Sequence, residues 1–485
     1  MPVPPPADPA PSGRGRLVAI IVGIGCVVAG LVLTAGVAFV ASGEDYPDDW
    51  DPRVAEFVGV VEDVKGAPFE HPVPVTFQED DEFLAGLSGE APELTAEDED
   101  RLAASSGMLR ALGVAEGPID LQQASEDIDA GGTLAYYDPV ADEIFIRGTD
   151  LDLETEVTIV HELTHAWQDQ HYDLDRWNEL EAGEEADALL GLIEGDATNV
   201  QNAYVDDLSD VEQDEYYVDN AEAVAEAATD DVPTILIADT AWPYALGSPY
   251  LDLNAALDLV DEPTDGLFAD PPSTTEQMLD IRAYLSDDDG GAVPDGWSDV
   301  ADDDVVEQDS LGAMSWFQAL ADVLEPMDAL AVADAWGGDE YVVHTVDGAT
   351  CVDVVFVVEG GGSSALSIDE IDGLLETWTE ALPDGTYEGR RGEDRELYLQ
   401  ACDPGEDADV DIGNRSMETM AYPVTRLYLW AGLADQGYDL DEDADVYSCY
   451  ADTFLRSATM DELNDPDVSD DRIQELFEDT DRACT

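Results

Sequence analysis

Basic residues are nearly missing from this chain. Lysine and arginine together number 17 against 115 aspartates and glutamates in 485 residues, giving a net charge of −98, and Lys65 is the only lysine. Nucleic acid and anionic membrane surfaces are excluded as partners, because a surface of that sign repels both. Calcium-loop motifs are missing as well. The acidic runs "SDDDGG" (Ser286–Gly291) and "DLDEDAD" (Asp439–Asp445) lack the glycine that an EF-hand loop needs at its sixth position, and they read as solvated faces. No internal repeat stands out. Disorder, the usual meaning of such a charge, is excluded by what accompanies it. The chain is 45% apolar with nine Trp and eighteen Tyr, and the acids sit between periodic apolar segments instead of replacing them. The length suits two or three domains, and the surface suits concentrated salt.

There is one long apolar run. Residues 17–42 carry no charge, which is long enough to span a bilayer that needs about 20 apolar residues. It is also too long for the core of a cleaved signal, usually about 7–15 residues; a signal ending near Ser42 is the alternative. Arg14 and Arg16 precede the run, and Glu44, Asp45, Asp48 and Asp49 follow it. The positive-inside rule then leaves 1–16 as a cytoplasmic tail, 17–42 as an anchor and the bulk outside, with 43–66 as an acidic stalk. Cys26 lies inside the apolar run. The other cysteines, Cys351, Cys402, Cys449 and Cys484, form an even set in an exported region, which reads as two disulfides. Sequence order favours Cys351–Cys402 and Cys449–Cys484. No C-x-x-C spacing supports a metal role for them.

Further elements follow from periodicity. "VPVTF" (Val73–Phe77) alternates as a strand, and Thr95 to Leu112 has a helical pattern. "TLAYYDPVADEIFIRG" (Thr133–Gly148) is β-rich on both sides of an Asp-Pro turn, the signal of a hairpin. A helix begins near Asp150 or Asp152, either of which can cap it. It carries Leu153, Val157, Val160, Thr164 and Trp167 as one apolar stripe. Ala186 to Val200 is a second helical run. From about residue 365 the pattern is mixed, then mostly helical.

Histidine is scarce, at five residues, yet three fall within "VHELTHAWQDQHYDL" (Val160–Leu174). His161-Glu162-Leu163-Thr164-His165 is H-E-x-x-H. One helical turn apart, both rings reach one ion, and Glu162 is placed to take a proton from a water beside it. The helix is expected to bury its stripe and offer the histidine face to a cleft. A catalytic metal needs a third protein ligand. His171 has the spacing of H-E-x-x-H-x-x-G-x-x-H, but Gln168 stands where that pattern needs a glycine. On a continuing helix His171 points away. Glu194, which follows the uncharged run that opens "ALLGLIEGDATNV" (Ala188–Val200), is the better ligand, since a buried unpaired carboxylate is costly and a cation satisfies it. Gly195 is expected to let the second helix pack closely on the first. The ligand set is then His161, His165 and Glu194. Ligand type favours zinc, although another divalent metal can occupy such a set.

H-E-x-x-H followed by E-G-x-A resembles the gluzincin branch of the zincin metallopeptidases. More narrowly, the chain is similar to a family of exported bacterial and archaeal proteins with a gluzincin-like core. "YYDPVADEIFIRG" (Tyr136–Gly148), "EGDAT" (Glu194–Thr198), "WPYALG" (Trp242–Gly247), "PPSTTEQML" (Pro271–Leu279) and "AWGGDEY" (Ala335–Tyr341) carry the likeness over about 67–350. The resemblance implies an α+β fold. A gluzincin-like metallopeptidase domain at 67–364 would be followed by a disulfide-stapled, mainly helical region at 365–485. It also implies a membrane-anchored extracellular zinc metallopeptidase acting on a peptide or protein substrate, with Glu162 as general base. Tyr136 and Tyr137, on the hairpin, would line an edge strand for substrate or serve as core aromatics. Asp280 departs from the family, which usually has a histidine there for the oxyanion. The alternative is a cell-surface binding or envelope-organising protein whose metal site is structural, and a closed site would favour it.

The charge makes its own prediction. At about 0.01 M salt the Debye length approaches 30 Å, and at about 1 M it is near 3 Å. The exported part should be folded at molar salt and should loosen on dilution, its disulfide-free N-terminal portion first. The two disulfides would hold the C-terminal region by about 2–4 kcal/mol each. Melting followed by circular dichroism and proteolysis across a sodium chloride series checks this; a melting temperature independent of salt refutes it.

Overall fold

The structure is a computed structural model. It describes residues 46–484 apart from 88–94, 150, 179, 181–182, 228–231, 259–262, 287–289, 292, 295, 302–303, 360–365, 383–386, 393–394, 409–414, 441–442 and 464–467. The tail at 1–16, the apolar run at 17–42 and Asp150 lie outside the described residues. Among the described residues, no helix is long and apolar enough to cross a membrane.

The second half of the expected stalk is a helix, α1 (Ala55–Lys65). Val54, Phe57, Val58 and Val61 are buried, a stripe at helical spacing hidden among acids. They pack with the first sheet, formed by β1 (Val75–Gln78), β2 (Ala135–Asp138) and β3 (Glu143–Arg147) in the order β1-β3-β2. β1 runs parallel to β3 and β2 antiparallel to it. The hairpin turns as its sequence suggests: Asp138 Oδ1 accepts the N–H groups of Val140 and Ala141 at 2.9 and 3.0 Å. Asp142 then takes a left-handed φ of 52°.

Helix α2 (Ala96–Ala111) starts at a capping box on Thr95. Helix α3 (Leu153–Tyr172) carries the H-E-x-x-H motif. Asp152 caps it, accepting the Thr155 N–H at 3.0 Å, and Asp173 ends it in the left-handed region. Every residue from Ile159 to Gln168 is buried, which corrects the expected half-open helix. α1 and the first sheet cover Val160 and Trp167 of the apolar stripe, Leu153 and Val157 pack with Val205 and Tyr216, and α4 (Glu184–Asp207) and α5 (Thr234–Leu257) cover the histidine face.

α4 and α5 meet backbone to backbone. A Cβ on Gly195 would lie 2.2 Å from the Gly247 carbonyl carbon, and one on Gly247 would lie 2.0 Å from the Gly191 carbonyl oxygen. Gly195 therefore serves the contact with α5, not the expected one with the metal helix. Its partner Gly247 closes the "WPYALG" stretch.

The second sheet takes β4 (Val305–Asp309), β5 (Trp336–Val346), β6 (Ala349–Val358), β7 (Tyr387–Arg391) and β8 (Glu396–Cys402) in the order β4-β5-β6-β8-β7, antiparallel throughout. A boundary at 364/365 would cut this sheet between β6 and β8. One large apolar core runs from α4 and α5 through the sheet into α6 (Ala421–Asp435) and α7 (Ala444–Ser457), so the C-terminal region is not a separate body. Cys351 sits opposite Cys402 in the β6–β8 register and is bonded to it. Cys449 on α7 is bonded to Cys484 on α8 (Asp470–Cys484). Both pairings are those that sequence order favours. The fold is α+β.

The glycine contact is open to test. Gly247→Ala should cost on the order of 3 kcal/mol, because its methyl meets backbone that cannot yield. Gly432→Ala on α6, where a Cβ meets nothing within 4 Å, should stabilise by about 0.4–1 kcal/mol. Urea midpoints of the two variants decide; equal midpoints would refute the contact.

Candidate metal centre

Two helices supply the centre. His161 and His165 lie on α3 and Glu194 on α4, each 0–1% exposed. One donor atom from each falls within 4.8 Å of the others, and the group could hold a metal ion. Glu194 Oε2 lies 3.1 Å from His161 Nε2 and 3.4 Å from His165 Nε2. The distant glutamate is thus the third member, as its isolation in an apolar run suggested. His171 is elsewhere: its ring stacks on Trp167 with centroids 3.8 Å apart, and its Nδ1 sits 2.8 Å from the Trp167 carbonyl oxygen.

Each of the two histidines faces a glutamine amide. Gln168 Oε1 lies 2.9 Å from His165 Nδ1, while its Nε2 donates to the Ile193 carbonyl at 3.0 Å and to Asp196 Oδ2 at 2.8 Å. Those two partners only accept, so the amide cannot be turned round. Its oxygen must face an Nδ1–H, and the lone pair of His165 is left on Nε2, pointing into the centre. Gln201 Oε1 sits 3.1 Å from His161 Nδ1, and its Nε2 reaches the Tyr216 hydroxyl at 3.2 Å. Sequence reasoning missed both amides, and for Gln168 it saw only the missing glycine. A signal was available, since each stands seven residues after a ligand, His161 or Glu194, on the same helical face.

The donor set fits a cation. Two imidazole nitrogens and a carboxylate converge, and Glu162 Oε1, His165 Nε2 and Glu194 Oε1 are buried with no hydrogen-bond partner among the described residues. Leaving such atoms unsatisfied costs about 1–3 kcal/mol each, and more for charged groups. Charge follows the same geometry. Burial would raise the Glu194 carboxyl, but the two histidines outweigh it and bring it down to about 2. Burial opposes a proton on His165, and Glu194 overcomes this to lift it to about 9. His161 is lowered by burial. Glu194 thus demands a positive charge from whatever shares the site.

Glu162 stands beside this group and outside it. Its Oε2 accepts the Tyr137 N–H at 2.7 Å, and burial lifts its carboxyl to about 8 despite the pull of His165. Tyr137 is on β2, an edge strand, and this N–H is the one turned away from β3. Tyr136 and Tyr137 are both buried, at 6% and 0% exposed. Tyr137 Oη lies 2.8 and 2.7 Å from carboxylate oxygens of Asp142 and Asp169. The edge expected to receive a substrate strand is therefore covered, and Glu162 takes its outward donor. Tyr244 of "WPYALG" stacks on the His161 ring at 5.8 Å, a contact that sequence alone does not reveal.

Asp280 is occupied in another way. It is fully buried and pairs with Arg282 at 2.6 Å. Burial would raise its carboxyl, but Arg282 and Arg426 hold it below the ordinary range. An ionised carboxylate accepts and cannot donate to an oxyanion. No family model, curated protein or solved structure matches the chain.

Removing the candidate ligands one at a time tests the set. Glu194→Ala should lose zinc at chelator concentrations that leave the His171→Ala protein loaded. Metal content by atomic emission after dialysis checks this, and the reverse order would make His171 the ligand.

Proposed function

We propose that this chain is a zinc metallopeptidase that hydrolyses peptide bonds outside the cell, held at the membrane by the apolar run at 17–42. Glu162 carries the reading. It sits next to a ligand on the same helix, is not a ligand itself, and keeps Oε1 free while the Tyr137 N–H fixes Oε2. A zinc ion on His161, His165 and Glu194 would polarise the scissile carbonyl and bring the pKa of a water towards neutrality. Glu162 Oε1 is the atom placed to accept a proton there and would return it to the leaving amine. A carboxyl near neutrality is matched to both transfers. The amides of Gln168 and Gln201 keep the rings aimed while this happens. The similarity of H-E-x-x-H with E-G-x-A to the gluzincins supports the same ligand set, and the two-nitrogen, one-oxygen donors support zinc.

A second reading has an observation of its own. His161, Glu162, His165 and Glu194 are all 0–1% exposed, and an enclosed ion is the mark of a structural site. In that case the chain is a surface binding protein whose metal only holds α3 to α4. A peptidase with this centre must open before it binds substrate.

Glu162→Gln separates the two. It should lower hydrolysis of a broad peptide library by about 100-fold or more while the protein retains its zinc. Unchanged cleavage by the variant, or no cleavage by metal-loaded wild type under any salt condition, rules the peptidase out.

A further inference from the structure

The sole lysine of the chain is tied to the metal centre. Lys65, the last residue of α1, places Nζ 2.8 and 2.6 Å from the two carboxylate oxygens of Asp196. Both side chains are only 5% exposed. The ammonium also lies over the Trp167 ring at 4.6 Å and the Tyr172 ring at 5.6 Å. The same Asp196 oxygen that Lys65 approaches most closely accepts the Gln168 amide at 2.8 Å, and Gln168 orients His165 at 2.9 Å. An unbroken series of contacts therefore runs from Lys65 through Asp196 and Gln168 to a ligand nitrogen.

We infer that Lys65 is a positioning residue for the metal centre. It neutralises Asp196, so that Asp196 holds the Gln168 amide in the one orientation that presents the His165 lone pair to the ion. The inference deepens the metal-site reading above and rests on it. Three observations favour a specific role over an ordinary ion pair. The composition uses lysine nowhere else, and an ammonium is a compact point charge where a guanidinium is a broad fork. The pair is buried, so salt that screens the acidic surface leaves it in force. The contact also crosses 131 residues of sequence, bringing a segment outside the expected peptidase domain into its metal site. A cavity of about 530 Å³ is lined by Lys65, Asp196, Asn199 and Asp265, so the outer end of the series borders solvent space while the inner end is sealed.

Without Lys65, Asp196 keeps a buried charge with only an amide to balance it and draws Gln168 away from His165. The test is zinc affinity, by competition with a chromophoric chelator in molar sodium chloride, together with the visible spectrum of the cobalt-substituted full chain. Lys65→Met, which retains the apolar stem, should weaken zinc binding about tenfold and change the cobalt bands, within the range seen when groups behind a ligand are altered. Lys65→Arg should keep the charge and fall between. Lys65→Met combined with Asp196→Asn should bind zinc more tightly than Lys65→Met alone, because the stranded carboxylate is gone. Zinc affinity and cobalt spectrum both unchanged in Lys65→Met, with only a lower melting temperature, would make the lysine purely structural and overturn the inference. Failure of folded wild type to bind zinc or cobalt would instead overturn the metal centre itself, and the inference with it.

Discussion

Glu194 is buried on α4, with its carboxylate 3.1 and 3.4 Å from two imidazole nitrogens. A carboxylate in that position must find a cation, and most of the neighbouring structure serves to stop it from finding anything else. Glu194 cannot move outwards, because α4 is clamped from behind at Gly191, Gly195 and Gly247, where no side chain separates it from α5. The histidines cannot retreat either, since the opposite face of α3 is packed against α1 and the first sheet. Two helices, each held on its far side, force three donors to converge. Pre-organisation of this kind gives a metal site its affinity, because little ordering remains to be done on binding.

The shortage of basic residues looks different once their positions are known. Lys65 pairs with Asp196, Arg110 with Asp403 and Arg426 with Asp334, all with little exposure. These pairs join residues 131, 293 and 92 apart. Ion pairs on the surface contribute little, but removing one partner from a buried pair strands a charge and is severely destabilising. These three cations thus pin distant segments together inside. Arg110 and Arg426 both reach across the boundary expected near residue 364, in agreement with a sheet that crosses it. The chain is held as one body partly because its rare cations are placed to do so.

Much of the centre was legible because its chemistry depends on local spacing. Two histidines one turn apart need only a helix, and Glu194 was conspicuous because it ends an uncharged run, Ala188–Ile193. The hairpin, the Asp152 cap and both disulfides likewise declare themselves over short stretches or by order. What stayed hidden depends on tertiary partners. Gln168 and Gln201 are neutral amides that become informative only once a ring nitrogen faces them. Gly195 announced a close approach without saying to which helix. Val54, Phe57, Val58 and Val61 did form a stripe, but acids on either side made the segment look like a solvated stalk. Composition averaged over a window concealed a periodicity that residue spacing retained.

Glu162 offers the last physical argument about what the centre is for. A structural metal site needs three or four ligands and gains nothing from another carboxyl in the same enclosed space. Burial lifts the Glu162 carboxyl to about 8, so an ionised acid there is disfavoured in the metal-free fold. The sign follows from the shift: the cost begins above the ordinary carboxylate pKa and grows until pH passes the raised one. The Tyr137 N–H offsets part of it for one oxygen and leaves the other exposed to the centre. Groups that lower stability without helping to pack are expected where chemistry requires them. An enclosed site and a costly acid are compatible if the enclosure opens, and among the described residues the Tyr137 N–H is the hydrogen bond that ties Glu162 to β2.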